Sequence, residues 1–227
     1  MDKIPQAGYG KEYWAHYAGT RNGYTKGWGV HAELIQMITD TFPIPKGGVV
    51  VDIGGCFGYQ AAILARATGA IVHVVDYSAY AVANHDPTIP RDRMHLVDIG
   101  VDQLPFGTDA LDFAYSVETF EHIYEPEVDH AIQELHRVLK PGAWFYGSIS
   151  CVERGGTPEQ DPTHICWHQY QWWQDTFQEY GFCYAQAKVD LLNRYTIPQK
   201  MDPRDKVQLN PIVNRYGWAV FAFQNTE

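Results

Sequence analysis

The 227-residue sequence is short of cysteine pairs, basic side chains and long apolar runs, and each scarcity excludes a class of protein. Its four cysteines form no C-x-x-C pair, which argues against a zinc site or a disulfide framework. No stretch has the length and apolarity of a membrane span, and the opening MDKIPQAGYG contains no apolar signal-peptide core. We therefore expect a cytoplasmic protein with reduced thiols and no membrane partner.

Basic residues are outnumbered, with 17 Lys and Arg against 27 Asp and Glu and a formal net charge of −10. A protein that binds nucleic acid needs a cationic surface to neutralise phosphates, and no cluster of Lys or Arg is present. The scarcity of basic residues therefore disfavours DNA and RNA, and we expect no nucleic-acid partner. Apolar residues make up 45% of the chain, which is enough for one sizeable core and predicts a single domain over residues 1–227.

From Val49 onward, short β-branched runs alternate with amphipathic segments, a pattern typical of strands and helices in turn. Alternation of this kind requires crossover connections and a mostly parallel sheet. We predict a doubly wound α/β fold with seven strands and a C-terminal antiparallel hairpin. Strands are expected at 47–55, Ala70–Asp76, Met94–Val97, Leu111–Ser116, Ala143–Ser150, Phe182–Leu191 and Tyr216–Phe223, and helices at Tyr59–Thr68, from the N-cap Ser78, Glu127–Leu139 and Gln169–Tyr180.

A glycine-rich loop, DIGGCFG, follows the first strand, and acids close the first three strands. Glycines at such a turn let the backbone approach a ligand, although nicotinamide and flavin enzymes use similar turns. Asp52 would repel phosphates and suits a cationic ligand. Asp76 is placed to accept hydrogen bonds from ribose hydroxyls, or else caps a turn. Asp98 could meet an adenine amino group or be an ordinary loop aspartate.

The strings VVVDIGGCFGYQAAILA, HVVDYS, LVDIGVDQLPF, DALDFAYSVETFEHI and ELHRVLKPGAWFYGSI occur in this order between Val49 and Ser150. Together they resemble the successive motifs of class I S-adenosylmethionine-dependent methyltransferases. The family loop usually has a glycine where this one has Cys56, so a slightly different turn is expected. The resemblance implies S-adenosylmethionine as cofactor, with the methionyl end on Asp52, Gly54, Gly55, Gly58 and Ser116, the ribose on Asp76, and the adenine beside Tyr77, Asp98 and Ile99.

This resemblance implies a methyltransferase, and we expect it to act on a small-molecule acceptor as a monomer or homodimer. We expect O-methylation of a sugar or natural-product intermediate; N-methylation of an amine and a non-catalytic cofactor-binding protein are the alternatives. A nicotinamide oxidoreductase is disfavoured because the loop lacks the G-x-G-x-x-G pattern. The expected parts are an N-terminal helical lid (1–45), the cofactor-binding core (46–150), an acceptor-side insertion and helix (151–180) and the C-terminal strands (181–227).

The string Glu118-Thr-Phe-Glu-His122 follows the fourth strand and carries the first set of catalytic candidates. As one helical turn it would place Glu118, Glu121 and His122 on one face, where they could hold a divalent metal. It resembles the same place in quinone-biosynthesis O-methyltransferases, where the string is associated with metal. The shorter pair Glu-His is widespread in the superfamily without metal, and His122 would then simply lie near the methyl-transfer site.

The loop after the fifth strand supplies the second set, in the string DPTH. Loops after parallel strands face the active site. The string, with the aromatic-rich helix after it, resembles methyltransferases of sugar and polysaccharide modification. There His164 would accept the proton, oriented by Asp161, unless it only bridges the loop. Acceptor contacts are expected from Tyr13, Trp14, Tyr17 and His168.

Overall fold

The run Val49–Ile53 forms the central strand of the sheet because its side chains are covered on both faces, as in buried parallel strands. The computed structural model describes residues 2–18, 29–152, 162–194 and 219–226. Seven strands and seven α-helices are present in these ranges. The strands are β1 Val49–Ile53, β2 Ile71–Asp76, β3 Met94–Leu96, β4 Leu111–Val117, β5 Leu139–Ile149, β6 Phe182–Tyr184 and β7 Ala219–Asn225.

The strand order is β3-β2-β1-β4-β5-β7-β6, with β7 antiparallel to both of its neighbours and the other pairs parallel. The chain moves outward from β1 in one direction through β2 and β3, then returns to place β4 on the other side. The sheet therefore has a topological switch point between β1 and β4. In open α/β sheets ligands bind in the crevice at the carboxyl ends of the strands that flank such a point. The predicted fold class is confirmed.

The helices cover both faces of the sheet, giving two separate apolar cores. On one face α5 buries Val128, Ala131, Ile132, Leu135 and Val138, the spacing expected of an amphipathic helix. None of the helices in the described ranges is long and apolar enough to cross a membrane. The helices are α1 Lys11–Ala18, α2 Gly29–Thr41, α3 Tyr59–Thr68, α4 Ala79–Ala83, α5 Val128–Val138, α6 Tyr170–Glu179 and α7 Gln186–Arg194.

Two predicted helix ends are confirmed in detail. The Ser78 side chain accepts a hydrogen bond from the Ala81 N–H and so caps α4. Gly69 ends α3 in the left-handed conformation, with φ of 74°, and donates its N–H to the Ala65 carbonyl.

The predicted helix end at Leu139 and the predicted strand start at Ala143 are both wrong. Strand β5 already begins at Leu139 and runs through Pro141 and Gly142. The irregularity of this segment appears as a register shift between β4 and β5 and as a φ of 81° at Gly142. A bulge accommodates the proline, because it tolerates a residue without an N–H to donate.

The predicted strand Phe182–Leu191 is also wrong beyond its first three residues. Only Phe182–Tyr184 pairs with β7, and Gln186–Arg194 forms α7. Val189 and Leu192 are the buried side chains of this segment, and their spacing of three favours a helix over a strand. The antiparallel pair is therefore present, but α7 lies between its strands in sequence, and β7 is inserted between β5 and β6.

Candidate active site

The glycine loop after β1 lies close to its surroundings at two positions. A Cβ on Gly54 would lie 2.1 Å from Thr119 Oγ1, and one on Gly55 would lie 2.6 Å from the Asp52 carboxylate. Gly54 also has a φ of 71°, and Cys56 adopts a φ of 54° where glycine would be unstrained. The sequence requires glycine here because the loop packs directly on Asp52 and on the segment after β4.

Asp76, at the end of β2, holds the far side of the loop. Its Oδ2 accepts the Cys56 N–H at 2.8 Å, and its Oδ1 accepts the Ser78 N–H at 2.7 Å. An ionised carboxylate offers about four acceptor directions, so two remain after these bonds. Burial raises the pKa of Asp76 to about 6, against the lowering effect of both backbone bonds. The carboxylate therefore organises the loop and keeps acceptor capacity for a ligand hydroxyl.

Asp52, near the end of β1, is buried at 1% exposure and receives a 2.7 Å hydrogen bond from Tyr115 Oη. The two residues face each other because β1 and β4 are parallel with Asp52 in register with Tyr115. Burial raises the pKa of Asp52 to about 7, since an isolated carboxylate is costly inside the protein. A cationic ligand at this edge would favour the charged form.

The N-terminal segment lies over the carboxyl ends of these strands. Ser78 Oγ donates to the Tyr9 carbonyl at 2.6 Å, and Trp14 Nε1 lies 3.0 Å from both Ser78 Oγ and that carbonyl. The Trp14 ring packs edge-on against Phe57 of the glycine loop, with centroids 5.4 Å apart. The segment therefore contacts the glycine loop and the start of α4, and its action as a lid stays a prediction.

Lys3, in the same segment, pairs with the acid that closes β3. Its Nζ lies 2.7 Å from Asp98 Oδ2 and 2.6 Å from Glu127 Oε2. The same ammonium lies 6.0 Å from the centre of the Tyr77 ring. Asp98 and Tyr77 therefore lie at the same edge of the site, and the Lys3 side chain contacts both of them.

Two imidazoles and a carboxylate converge on the other side of the loop. One ligand atom from each of Glu121, His122 and His164 lies within 4.8 Å of the others. Glu121 and His122 belong to the 3-10 turn Phe120–His122 after β4, whereas His164 comes from the segment after β5. Loops after two adjacent strands thus build this cluster.

The helical turn expected over residues 118–122 is wrong, and with it the expected ligand face. Glu118 has a left-handed φ of 54°, so it does not continue into the turn that follows. Its Oε1 accepts a 2.5 Å hydrogen bond from Ser148 Oγ on β5. His164 takes the place in the cluster that Glu118 was expected to fill.

The cluster lies beside the glycine loop. Thr119 Oγ1 donates to the Ile53 carbonyl at 3.2 Å and packs against Gly54, which ties the start of the turn to the end of β1. The His122 ring lies edge-on to Tyr9, with centroids 6.3 Å apart. The site therefore has a loop and two buried acids on one side, a His–His–Glu cluster on the other, and the N-terminal segment over both.

Comparison with known proteins agrees with this geometry. Residues 51–147 match a family model described as a methyltransferase domain. The structure superposes on phosphoethanolamine N-methyltransferase 2 of Haemonchus contortus, solved with S-adenosyl-L-methionine, with a TM-score of 0.63 and 16% identity over 98% of this chain and 57% of that one. Residues 51–147 are therefore similar to a methyltransferase domain, and the structure shares the fold of solved methyltransferases.

The curated proteins that this chain resembles methylate different kinds of atom. The chain is 26% identical to 24-methylenesterol C-methyltransferase 2 of Arabidopsis thaliana over 142 residues, which are 57% of this chain and 36% of that protein. It is 29% identical to dimethylglycine N-methyltransferase of Parasynechococcus marenigrum over 108 residues, 45% of this chain and 38% of that protein. The matches thus span little more than a third of these relatives' own length.

Most of the residues predicted to bind the cofactor lie along one edge of the sheet, with two exceptions. Ser116 Oγ donates to the Ile53 carbonyl at 3.0 Å, so it supports the loop. Ile99 is 8% exposed and packs in the apolar core. The remaining predicted residues border the loop or the strand ends beside it, namely Asp52, Gly54, Gly55, Gly58, Asp76, Tyr77 and Asp98.

The predicted acceptor residues are dispersed. Trp14 contacts the glycine loop, and Tyr13 packs edge-on against Tyr9 and Trp14 at 5.1 and 4.9 Å. His168 stacks on Trp172 with centroids 3.7 Å apart. Asp161 and the side chain of Tyr17 lie outside the described residues.

Three residues that shape the candidate site are not predicted from the sequence. Tyr115 is predicted only as part of a strand, although two parallel strands that end together bring it near Asp52. Thr119 lies between the acidic candidates Glu118 and Glu121 and carries no signal of its own. Lys3 lies 95 residues from Asp98, and no local pattern connects them.

Proposed function

We propose that this chain is an S-adenosylmethionine-dependent methyltransferase that methylates a hydroxyl of a small polar acceptor, such as a sugar or natural-product intermediate. The main observation in favour of this cofactor is that the glycine loop lies between two buried carboxylates, Asp52 and Asp76. Relatives that methylate carbon and nitrogen leave the acceptor atom open, and the His–His–Glu cluster is what favours oxygen.

The charge of the loop region suits S-adenosylmethionine. Its methionyl amine and sulfonium are cationic, and Asp52 and Asp76 are acids whose pKa values burial raises to about 7 and about 6. A bound cation would lower both pKa values again, since it favours the ionised carboxylates. We expect cofactor binding to release protons near neutral pH.

The cluster of Glu121, His122 and His164 supports a hydroxyl acceptor. Methyl transfer is an in-line displacement that mainly requires alignment of donor and acceptor. A hydroxyl must in addition lose a proton, whereas an amine needs less assistance. Imidazole is the side chain best suited to assist that step near neutral pH, and this cluster contains two.

The test compares matched acceptors that differ in one atom, a sugar hydroxyl and the amine of its amino-sugar counterpart. Formation of S-adenosylhomocysteine is measured, and the methylated atom is located by mass spectrometry. We expect methylation at oxygen, with His122→Asn lowering the rate by roughly 100-fold or more while S-adenosylhomocysteine affinity is kept. His95→Asn, on the edge strand β3, is the control and should leave the rate unchanged, because the His95 ring contacts His73 and Phe106. Methylation confined to the amine would overturn the proposed acceptor.

A further inference from the structure

We infer that Glu121, His122 and His164 form a binding site for a divalent transition-metal ion such as Zn²⁺. The inference rests on one juxtaposition, a carboxylate and two imidazoles from loops after β4 and β5 whose ligand atoms lie within 4.8 Å of one another. The inference rests on the proposed function, because the metal ion would lie in the same site and help to bind the acceptor.

His122 is oriented in the way typical of metal-binding histidines. Its Nδ1 lies 3.0 Å from the Thr163 carbonyl oxygen, which only accepts hydrogen bonds, so Nδ1 carries the proton. The lone pair of the neutral ring is then on Nε2. Metal-ligating histidines commonly donate their other N–H to a carbonyl or carboxylate, which fixes the ring and its tautomer.

Glu121 is also fixed by the backbone of the loop after β5. Its Oε1 accepts the Ser150 N–H at 3.0 Å, and its main-chain carbonyl accepts the Cys166 N–H at 2.9 Å. The second of these bonds joins the turn Phe120–His122 to the segment that carries Thr163 and His164. The three ligands are therefore positioned by hydrogen bonds between the two loops.

Burial favours a cation at this carboxylate. Glu121 has 0% exposure, and placing an ionised carboxylate in the interior is costly unless opposite charge or hydrogen bonds offset the cost. A divalent ion bound beside it would add opposite charge to the hydrogen bond that the Ser150 N–H already donates.

The donor set selects the kind of ion. Two nitrogens and one oxygen suit Zn²⁺ and its first-row neighbours, whereas Mg²⁺ and Ca²⁺ prefer oxygen ligands throughout. Bonds of about 2.1 Å in a tetrahedral site place ligand atoms about 3.4 Å apart. Side-chain movements of roughly 1 Å would therefore close the present cluster around an ion.

Three side chains leave coordination positions for an acceptor. A divalent ion in such an open site acts as a Lewis acid and lowers the pKa of a hydroxyl. The chain's own contribution is to hold the ligands beside the glycine loop, through Thr119 and Gly54. Tyr9 lies edge-on over His122 and would help exclude water.

The test is titration of Zn²⁺ into chelator-treated protein, followed by calorimetry, with Co²⁺ as a spectroscopic probe of nitrogen ligands. We expect one tight site in the wild type and a loss of affinity on the order of 100-fold or more in His164→Gln. Glu118→Gln should keep the tight site, because Glu118 bonds Ser148 instead.

A second histidine pair provides the control. His73 Nδ1 and His95 Nε2 lie 3.0 Å apart on β2 and β3, so this pair could also bind metal. If His73→Gln removes the tight site and His164→Gln keeps it, the inference is overturned.

Titration of the same samples with S-adenosylhomocysteine separates this inference from the proposed function. Cofactor binding without a tight Zn²⁺ site would refute the metal and leave the methyltransferase proposal standing. Zn²⁺ binding that depends on His164, in a protein that does not bind S-adenosylhomocysteine, would support the metal site and refute the proposed function.

Discussion

Replacing Gly54 with alanine should disrupt the contact between the glycine loop and the segment after β4. The new Cβ would lie 2.1 Å from Thr119 Oγ1 and 2.4 Å from its Cγ2. A left-handed backbone costs a residue with a Cβ about 1–2 kcal/mol. Overpacking adds about 1–3 kcal/mol, and loss of the Thr119 hydrogen bond to Ile53 about 1 kcal/mol. We expect Gly54→Ala to lower the free energy of unfolding by roughly 3–6 kcal/mol.

Gly47→Ala is the matched control. Gly47 has nearly the same φ, 75°, but a Cβ there would meet nothing within 4 Å. Gly47→Ala should therefore lower the free energy of unfolding only by the cost of the left-handed backbone, about 1–2 kcal/mol. The assay is urea denaturation of both variants, with S-adenosylhomocysteine affinity measured beside it; affinity should fall only in Gly54→Ala.

A second substitution tests the cause. Thr119→Ala removes the two atoms nearest the new Cβ and leaves the Thr119 Cβ at 2.8 Å. In the double variant, part of the unfolding free energy lost through Gly54→Ala should be recovered, because the effects of substitutions at contacting residues are coupled. Equal losses in Gly54→Ala and Gly47→Ala, or no recovery in the double variant, would refute the steric argument.

Two further predictions concern the acids and the N-terminal segment. The folded state holds protons on Asp52 and Asp76 that the unfolded chain releases near pH 4, so the free energy of unfolding should fall as pH rises from 4 to 8. The pKa of Asp52 rises from 3.8 to about 7, which corresponds to at most roughly 4 kcal/mol of unfolding free energy. Asp52→Asn should therefore make the unfolding free energy, measured by urea denaturation, fall less steeply with pH. The same pH dependence in wild type and variant would contradict this prediction. Trp14→Phe keeps an aromatic ring at this position but loses the Nε1 donor to Tyr9 and Ser78, so hydrogen exchange in residues 2–18 should quicken roughly five-fold. Unchanged exchange would show that these bonds do not hold the segment.

Much of the fold followed from the sequence because its signals are local. The β-branched run of β1, the glycine after α3 and the serine before α4 each act within a few residues, and each predicted its element correctly. The failures at β5 and α7 arose where tertiary packing decided between two plausible local structures.

The site was predictable only where position along a strand determines position in space. Asp52 and Asp76 end parallel neighbours, so their approach to one loop could be expected. The meeting of His164 with Glu121 and His122 could not, because it depends on the paths of two loops that no periodicity describes. The same holds for Lys3 and Asp98, which are joined only when the N-terminal segment folds back over the sheet.

The most direct test of the cofactor assignment is calorimetric titration with S-adenosylhomocysteine on the wild type, Asp76→Asn and Asp112→Asn. Asp112 is the matched control, because its carboxylate also accepts a backbone N–H, from Val49, but at the opposite end of the sheet. We predict one site in the wild type, weakened roughly 10- to 100-fold by Asp76→Asn and unchanged by Asp112→Asn. A folded wild type that does not bind, or equal effects of the two substitutions, would contradict the assignment.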